Sequence, residues 1–296
     1  MTDRIIDISA EPARLSVRYE QLVIERDGEV KSTVPLAEIA ALVVSNPQVS
    51  YTHAVLSGLA SAGAALVACD GKHLPAGMLL PLAGHFVQSE RFALQAEASQ
   101  PTRKRLWRQV VRAKITAQGK LLAQLYGSDL GLIAMAQRVK SGDSENIEAK
   151  ASRKYWPAIF ADPKFRRERH AEDQNRFLNY GYAVLRAIVA RAICGAGLHP
   201  SLGIHHHNRY DAFRLADDLM EPFRPIVDGA VVKLVEERGA KAPMDPETKA
   251  AIIEALTGRM NIDGEERTLF DVAARMTSSI AAVFAGKRSK ISMPEI

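Results

Sequence analysis

The segment GIHHHNRYDAFRLADDLMEPFRP, Gly203 to Pro225, places three consecutive histidines ahead of four carboxylates within eleven residues. Imidazoles and carboxylates bind divalent cations and exchange protons near neutral pH. DAFRLADDLMEPF has the composition of a helix that ends near Pro222 and Pro225. Helical side chains three or four apart share a face, so Asp218 with Glu221, or Asp217 with Glu221, can stand side by side. Leu215 and Leu219 supply the apolar stripe that would turn this helix inward. Adjacent carboxylates near a core repel, and a divalent cation or a raised pKa relieves the repulsion. The histidines fall in a loop from which one imidazole can fold back toward the acids. With no HExxH and no cysteine ligand, zinc is disfavoured. Oxygen-rich ligation with one imidazole suits Mg2+ or Mn2+. A solvated acidic face beside a surface histidine loop would have the same composition.

A third carboxylate lies upstream. In SGDSENIEAKASRKYW, Glu148 precedes Lys150, Arg153 and Lys154 and then Tyr155-Trp156. The acid can hold a metal while the bases hold phosphates, or it can form an ordinary ion pair with a base one helical turn away. Two further stretches are strongly basic. Pro101 to Lys120, PTRKRLWRQVVRAKITAQGK, has seven bases and no acid, among them Arg103, Lys104, Arg105, Arg108 and Arg112. On a helix Arg105, Arg108 and Arg112 share a face, with Trp107 nearby. KFRRERH, Lys164 to His170, adds Arg166 and Arg167. Bases interleaved with aromatics suit contacts to a phosphate backbone and stacking on bases. A solvated helix face, or a site for an acidic protein, is the plainer use of such charge.

The elements that must position these groups divide the chain in two. Residues 1–84 alternate apolar and polar positions as short strands do, with an Asp27-Gly28 hairpin signal. AALVVSN and AALVACDG read as buried strands on either side of a helix that stops near Gly63. From Arg91 onward apolar residues recur at three and four, and several long helices follow, one running toward Gly195 and one capped by Thr268. The expected fold is α+β: a small N-terminal β-rich domain, 1–84, followed by a larger all-α C-terminal domain, 85–296. The tail GKRSKISMPEI reads as mobile.

The net charge of +5 is unevenly shared: residues 1–83 carry −3 and residues 84–296 carry +8. The basic excess therefore lies in the helical part, as a polyanionic partner would require. Cys69 and Cys194 form no CxxC pair, which argues against a zinc ribbon or a disulfide scaffold and for thiols in a reducing cytosol. The N-terminus has no signal-peptide pattern, and no run of about eighteen apolar residues is seen to span a bilayer. A cytoplasmic location is the expectation.

NIEAKASRKYW, NRFLNYGYAVLRAIVARAICGAGLHPSLGIHHHN and FRLADDLMEPFRPIVD together resemble the CRISPR-associated spacer-acquisition integrase, the catalytic subunit that inserts new spacers into a CRISPR array. The resemblance covers most of the chain in order, and GIHHHN with DLMEPFRP looks most like the type II branch. It implies that Glu148, His206 and Glu221 are the catalytic metal ligands. It implies that Asp218 is a supporting acid, that Arg224 lies close to the centre, and that Asn179 and Tyr180 border it. Ala149 departs from the glycine of many members, and His205 and His207 flank the implied ligand. The resemblance also implies dimers formed through the β domains and a small ferredoxin-like second adaptation subunit bridging two of them. Double-stranded DNA is the implied substrate, and the type II effector nuclease is a further candidate partner. The implied activity is a Mg2+- or Mn2+-dependent DNA endonuclease and integrase acting in antiviral defence. A non-catalytic DNA-binding scaffold and an unrelated metal-dependent phosphoesterase for small molecules are the competing readings.

Overall fold

The structure is a computed structural model that describes residues 3–70, 75–168 and 171–296. Strands β1 (Arg4–Ile8), β2 (Arg14–Arg18), β3 (Gln21–Arg26), β4 (Glu29–Pro35), β5 (Ile39–Val44), β6 (Ser50–Tyr51), β7 (Ala65–Cys69) and β8 (Pro75–Leu79) fill the N-terminal region. Helix α1 (His53–Ser61) lies between β6 and β7. One sheet has the order β1-β5-β7-β8, with the first three parallel and β8 antiparallel; the other has the order β4-β3-β2-β6. The expected hairpin joins β3 to β4, and Asp27 and Gly28 both have positive φ, 51° and 77°. That pair of conformations matches the right-handed twist of the flanking strands.

β5 and β7 explain why their sequences are almost continuously apolar. Leu42 and Leu66 face a core made with Leu15, Leu22, Val55 and Leu59, whereas Ala40, Val43, Ala65 and Val67 belong to the core of the helical region. Strands covered on both faces have no solvent side to be polar. Strands before residue 84 and helices after it therefore share a core.

Helices α2 (Gln88–Ala96), α3 (Gln100–Tyr126), α4 (Leu132–Gln137), α5 (Ile147–Ile159), α6 (Asn175–Gly195), α7 (Arg214–Met220), α8 (Arg224–Arg238), α9 (Pro246–Ala255) and α10 (Leu269–Phe284) build the rest. α3 is about 40 Å long at helical rise. The Ser99 hydroxyl caps it by accepting from the Thr102 amide, and Gly127 ends it in the left-handed conformation. α6 is the central helix. It is long and apolar enough to cross a bilayer, yet 78% of its most apolar window is buried by its neighbours, as in a soluble core helix. Gly181 lets α8 and α9 approach it: a Cβ there would stand 2.4 Å from a Val227 methyl and 2.9 Å from one of Ile252.

Two expectations are corrected. The C-terminal part is mostly helical but not all-α, because β9 (Arg259–Ile262) and β10 (Glu265–Thr268) form a hairpin turned by Asp263-Gly264. The tail is anchored. The Ile291 amide donates to Gln109 Oε1 and the Ser292 amide to Ser279 Oγ, and Glu295 pairs with Asn261. The Thr268 cap is as expected, its hydroxyl accepting from the Asp271 amide.

Candidate active site

Four elements meet behind the histidine loop. α3 contributes Lys114, the first turn of α5 contributes Glu148, α7 contributes Asp218, and the short 3-10 turn Glu221–Phe223 contributes Glu221. α5 starts where it does because Asp143 caps it: one carboxylate oxygen accepts from the Ile147 amide and the other from the Glu148 amide. Glu148 is therefore fixed at the N-terminal end of a helix, where negative charge is favoured.

Lys114 is buried, and its Nζ lies 2.6 Å from Glu148 Oε1 and 2.6 Å from Glu221 Oε2. The two carboxylate oxygens are thus no more than twice 2.6 Å apart. Arg224 Nε lies 3.0 Å from the other Glu221 oxygen. Burial alone would push the Glu221 carboxyl up, but Arg224 and Lys114 outweigh it and hold the group below the usual carboxylate range. Burial likewise works against the Lys114 charge, and Glu221 and Glu148 overcome it. Both carboxylates thus converge on one positive charge.

The histidine loop wraps a single carboxylate. Asp218 Oδ2 accepts from the Ile204 and His205 amides at 2.6 and 3.0 Å, and Oδ1 takes the His206 amide at 3.2 Å and His206 Nδ1 at 2.6 Å. Gly203 makes this wrap feasible. A Cβ there would lie 2.9 Å from the Arg214 Cβ and 3.0 Å from Asp218 Oδ2. With Nδ1 tied to Asp218, the His206 ring is held so that Nε2 is its remaining coordinating atom, the usual carboxylate–histidine–metal pattern. The Asp218 hydrogen bond also raises the His206 pKa, and Glu221 contributes through its charge. Asp217 goes elsewhere, gripping Arg186 through both oxygens at 2.6 and 2.9 Å. Of the two carboxylate pairs considered from the sequence, Asp218–Glu221 lies at this site.

Among the described residues no three His, Cys, Asp or Glu side chains stand as a ready cage, because the Lys114 ammonium is set between the two glutamates. The donor chemistry nonetheless fits a divalent ion. Glu221 Oε2 is buried and close to Lys114 without an aligned hydrogen bond, so a lone pair remains for a cation. Glu148 and Glu221 would supply oxygens and His206 the imidazole, a set suited to Mg2+ or Mn2+.

The sequence matches the family described as "CRISPR associated protein Cas1" over residues 6–259. The chain belongs to the Cas1 family. It is 38% identical over 287 residues to the CRISPR-associated endonuclease Cas1 of Neisseria meningitidis serogroup C, covering 96% of this chain and 93% of the relative. Its fold is similar to that of a casposase bound to integration product, with TM-score 0.77 and 20% identity over 98% of this chain and 92% of that one. It is also similar to a chain of a Cas6-RT-Cas1–Cas2 complex, with TM-score 0.76 and 15% identity over 97% of this chain and 35% of that longer one.

The remaining expected site residues in this family member are placed as follows. Arg105 and Arg112 are exposed on α3 and Arg108 is half-buried beside them; Lys104, Arg153 and Lys154 are exposed. Arg103 is spent differently, donating to the Ala96 and Ala98 carbonyls at the end of α2. Arg166 is exposed and donates to the Pro163 and Phe165 carbonyls. Arg167 is tied into the fold by Asn175 Oδ1 at 2.9 Å and Asn179 Oδ1 at 2.6 Å. Arg169 and His170 of that basic run lie outside the described residues. Tyr180 turns toward the N-terminal sheet, where its hydroxyl donates to Asp7 Oδ2 at 2.5 Å, so its direct partner is not a site residue.

Several contributors were not singled out by sequence. Lys114 stands in a basic run, but it lies seven residues after Trp107 on the face of α3 that packs inward. Behind Arg224, the Tyr182 ring takes its guanidinium at 4.5 Å, and the Tyr182 and Tyr155 hydroxyls both donate to Asp228, Tyr155 at 2.7 Å. Burial pushes the Asp228 carboxyl up to about 6. An unfolded aspartate titrates at about 3.9, so the folded state binds the extra proton between those values. The sign is therefore a loss of stability as pH rises from about 4 to about 6. Asp228→Asn removes that cost. Relative to wild type, the variant should gain up to ~3 kcal/mol between about pH 4 and about pH 7, at about 1.4 kcal/mol per pKa unit. Urea titrations at the two pH values check this, and a pH-independent difference would contradict it.

Proposed function

We propose that this Cas1-family chain is a divalent-metal-dependent DNA integrase and endonuclease of the type II branch, inserting short DNA fragments into a CRISPR array. The convergence of Glu148 and Glu221 on one cation, beside a His206 ring held by Asp218, carries the reading. Family membership over residues 6–259 and a 38% identical relative named as a CRISPR-associated endonuclease support it. The similar casposase is described as bound to integration product, and another similar chain belongs to a complex containing Cas2. Accordingly, double-stranded DNA is the substrate, and a small Cas2-type subunit bridges homodimers formed through the N-terminal β region. That region's charge of −3 makes it a better protein surface than DNA surface. The cytoplasm, where the array lies, is the proposed location.

Bound Mg2+ or Mn2+ would supply Lewis-acid polarisation of the scissile phosphodiester and charge stabilisation of the leaving oxygen. The protein's own groups do the positioning. Asp218 fixes the His206 ring; Arg224, braced on Tyr182, holds Glu221 in place; the Asp143 cap fixes Glu148. The fragment's 3′-oxygen forms the new P–O bond as the P–O3′ bond of the repeat strand breaks. One phosphodiester replaces another, and no nucleotide cofactor is consumed. Pre-set geometry and charge supply most of the rate gain in such transfers.

The Lys114 ammonium between the glutamates is the one observation that favours a non-catalytic scaffold. A strand-transfer assay separates the readings, using a short duplex with free 3′-ends, a supercoiled repeat plasmid, manganese and the small partner. Metal-dependent joining that Glu148→Gln removes supports the integrase, whereas joining unaffected by Glu148→Gln supports the scaffold.

DNA binding provides a separate check. Arg105→Glu with Arg112→Glu should weaken duplex affinity by more than about tenfold and flatten the log K–log[salt] slope by about 2, roughly 0.9 for each phosphate that is no longer neutralised. Fluorescence anisotropy across a salt series measures both. An unchanged slope would remove this face of α3 from the DNA path.

A further inference from the structure

The loop that presents His206 also presents His205, in a different way. The His205 ring lies flat on Trp107, with centroids 4.2 Å apart and planes at 4°. Trp107 is 2% exposed, so it serves as a rigid bed. The His205 amide is fixed by Asp218 at 3.0 Å, which sets the residue from the backbone side as well. His205 itself is exposed, and besides the indole its ring has only the His206 and His207 rings as aromatic neighbours among the described residues, tilted to it with centroids 6.0 and 6.1 Å away. The pair forms a wall of a cleft of about 280 Å³ that also includes Glu148, Asn146 and Ser152. Asn146 and Ser152 bring an amide and a hydroxyl to that cleft. Trp107 Nε1, buried at the same place, has no hydrogen-bond acceptor among the described residues. An unsatisfied buried donor calls for a partner.

A braced flat ring, hydrogen-bonding groups and the Glu148 carboxylate, all lining one cleft, suit one class of ligand. We infer that His205 is a stacking platform for a nucleobase, and that the base is the 3′-terminal one of the incoming DNA fragment. The inference rests on the DNA-joining function proposed above. The 3′-hydroxyl must approach Glu148 to react, so its own nucleotide is the one that reaches this cleft. A terminal base is stacked on one side only and is cheaper to draw out of a duplex than an internal base. Trp107 makes the platform stiff, so little freedom is lost when a base settles on it. His205 thus positions the attacking end, while His206, its neighbour, is held by Asp218 and interacts with Glu221 through charge.

The test is fluorescence of 2-aminopurine, whose emission falls on stacking. One duplex carries it at the 3′-terminal position, a second at an internal position, and a third in the target strand beside the joining site. Each is titrated with wild-type protein, His205→Ala and His205→Phe, without divalent metal so that no reaction occurs; anisotropy of an end label reports total binding. The inference expects quenching of the 3′-terminal probe by wild type and by His205→Phe. It expects His205→Ala to lose that quenching and to weaken capture of the 3′-end by about 5- to 150-fold, the range for one base–aromatic stack. Equal quenching in His205→Ala, failure of His205→Phe to restore it, or quenching confined to the target-strand probe would each overturn the platform while leaving DNA binding intact. No anisotropy change with any duplex would overturn it together with the proposed function.

Discussion

Glu221→Ala is expected to reduce strand transfer on the order of 10³-fold or more, the scale of removing one preorganised electrostatic group from a phosphoryl-transfer site. Glu221 is the group most others depend on. It meets Lys114 at 2.6 Å and Arg224 at 3.0 Å, and it interacts with His206 through charge. Alanine would leave the half-buried Arg224 without its carboxylate and the buried Lys114 with Glu148 alone, so the variant should also lose about 3–5 kcal/mol of stability. Glu148 separates the two effects. It is half-buried and, among the described residues, forms an ion pair with Lys114 alone, so Glu148→Gln should lose joining activity to a similar degree with much less change in melting temperature. Strand transfer and thermal melting on both variants check this. Retained joining in either, with folding intact, would move the chemistry elsewhere.

Lys114→Met should destabilise the metal-free protein by about 3–5 kcal/mol, since two converging carboxylates would lose the charge between them. The same substitution makes room for a divalent ion. Added Mn2+ should therefore raise the melting temperature of Lys114→Met more than that of wild type, because binding to the folded state alone stabilises by mass action and the variant has no ammonium to displace. Melting scans with and without Mn2+ measure both effects. A variant as stable as wild type and indifferent to manganese would mean that the glutamates neither repel nor bind a cation.

The residues that can be read from the sequence are those whose chemistry is local. Asp27-Gly28 announces its turn because both residues must take positive φ, and Thr268 announces its helix because Asp271 follows at the capping distance. The acidic segment 217–221 shows that carboxylates would share a face, but not which pair. The decision comes from Arg186, which takes Asp217, and from the histidine loop, which takes Asp218. Both choices are made across 12 to 31 residues of sequence, where no spacing rule reaches. Lys114 is hidden because a base on a basic helix looks solvated until the inward face of that helix is known. Asp228 is hidden because its partners, Tyr155 and Tyr182, come from two other helices. The β9–β10 hairpin does carry a signal, Asp263-Gly264, but the short strands around it are more polar than core strands and are overshadowed by the helical periodicity on both sides. The tail looks mobile from composition because its anchors, Gln109 and Ser279, lie far back in the chain.

The Glu148–His206–Glu221 site is tested most directly by locating a cation in crystals grown with Mn2+, using the anomalous signal of manganese. The expected result is a single strong peak at coordination distance from Glu148, Glu221 and His206 Nε2, with the Lys114 ammonium moved off the glutamates. A manganese ion bound elsewhere in protein that joins DNA, with Lys114 still seated between the two carboxylates, would contradict it.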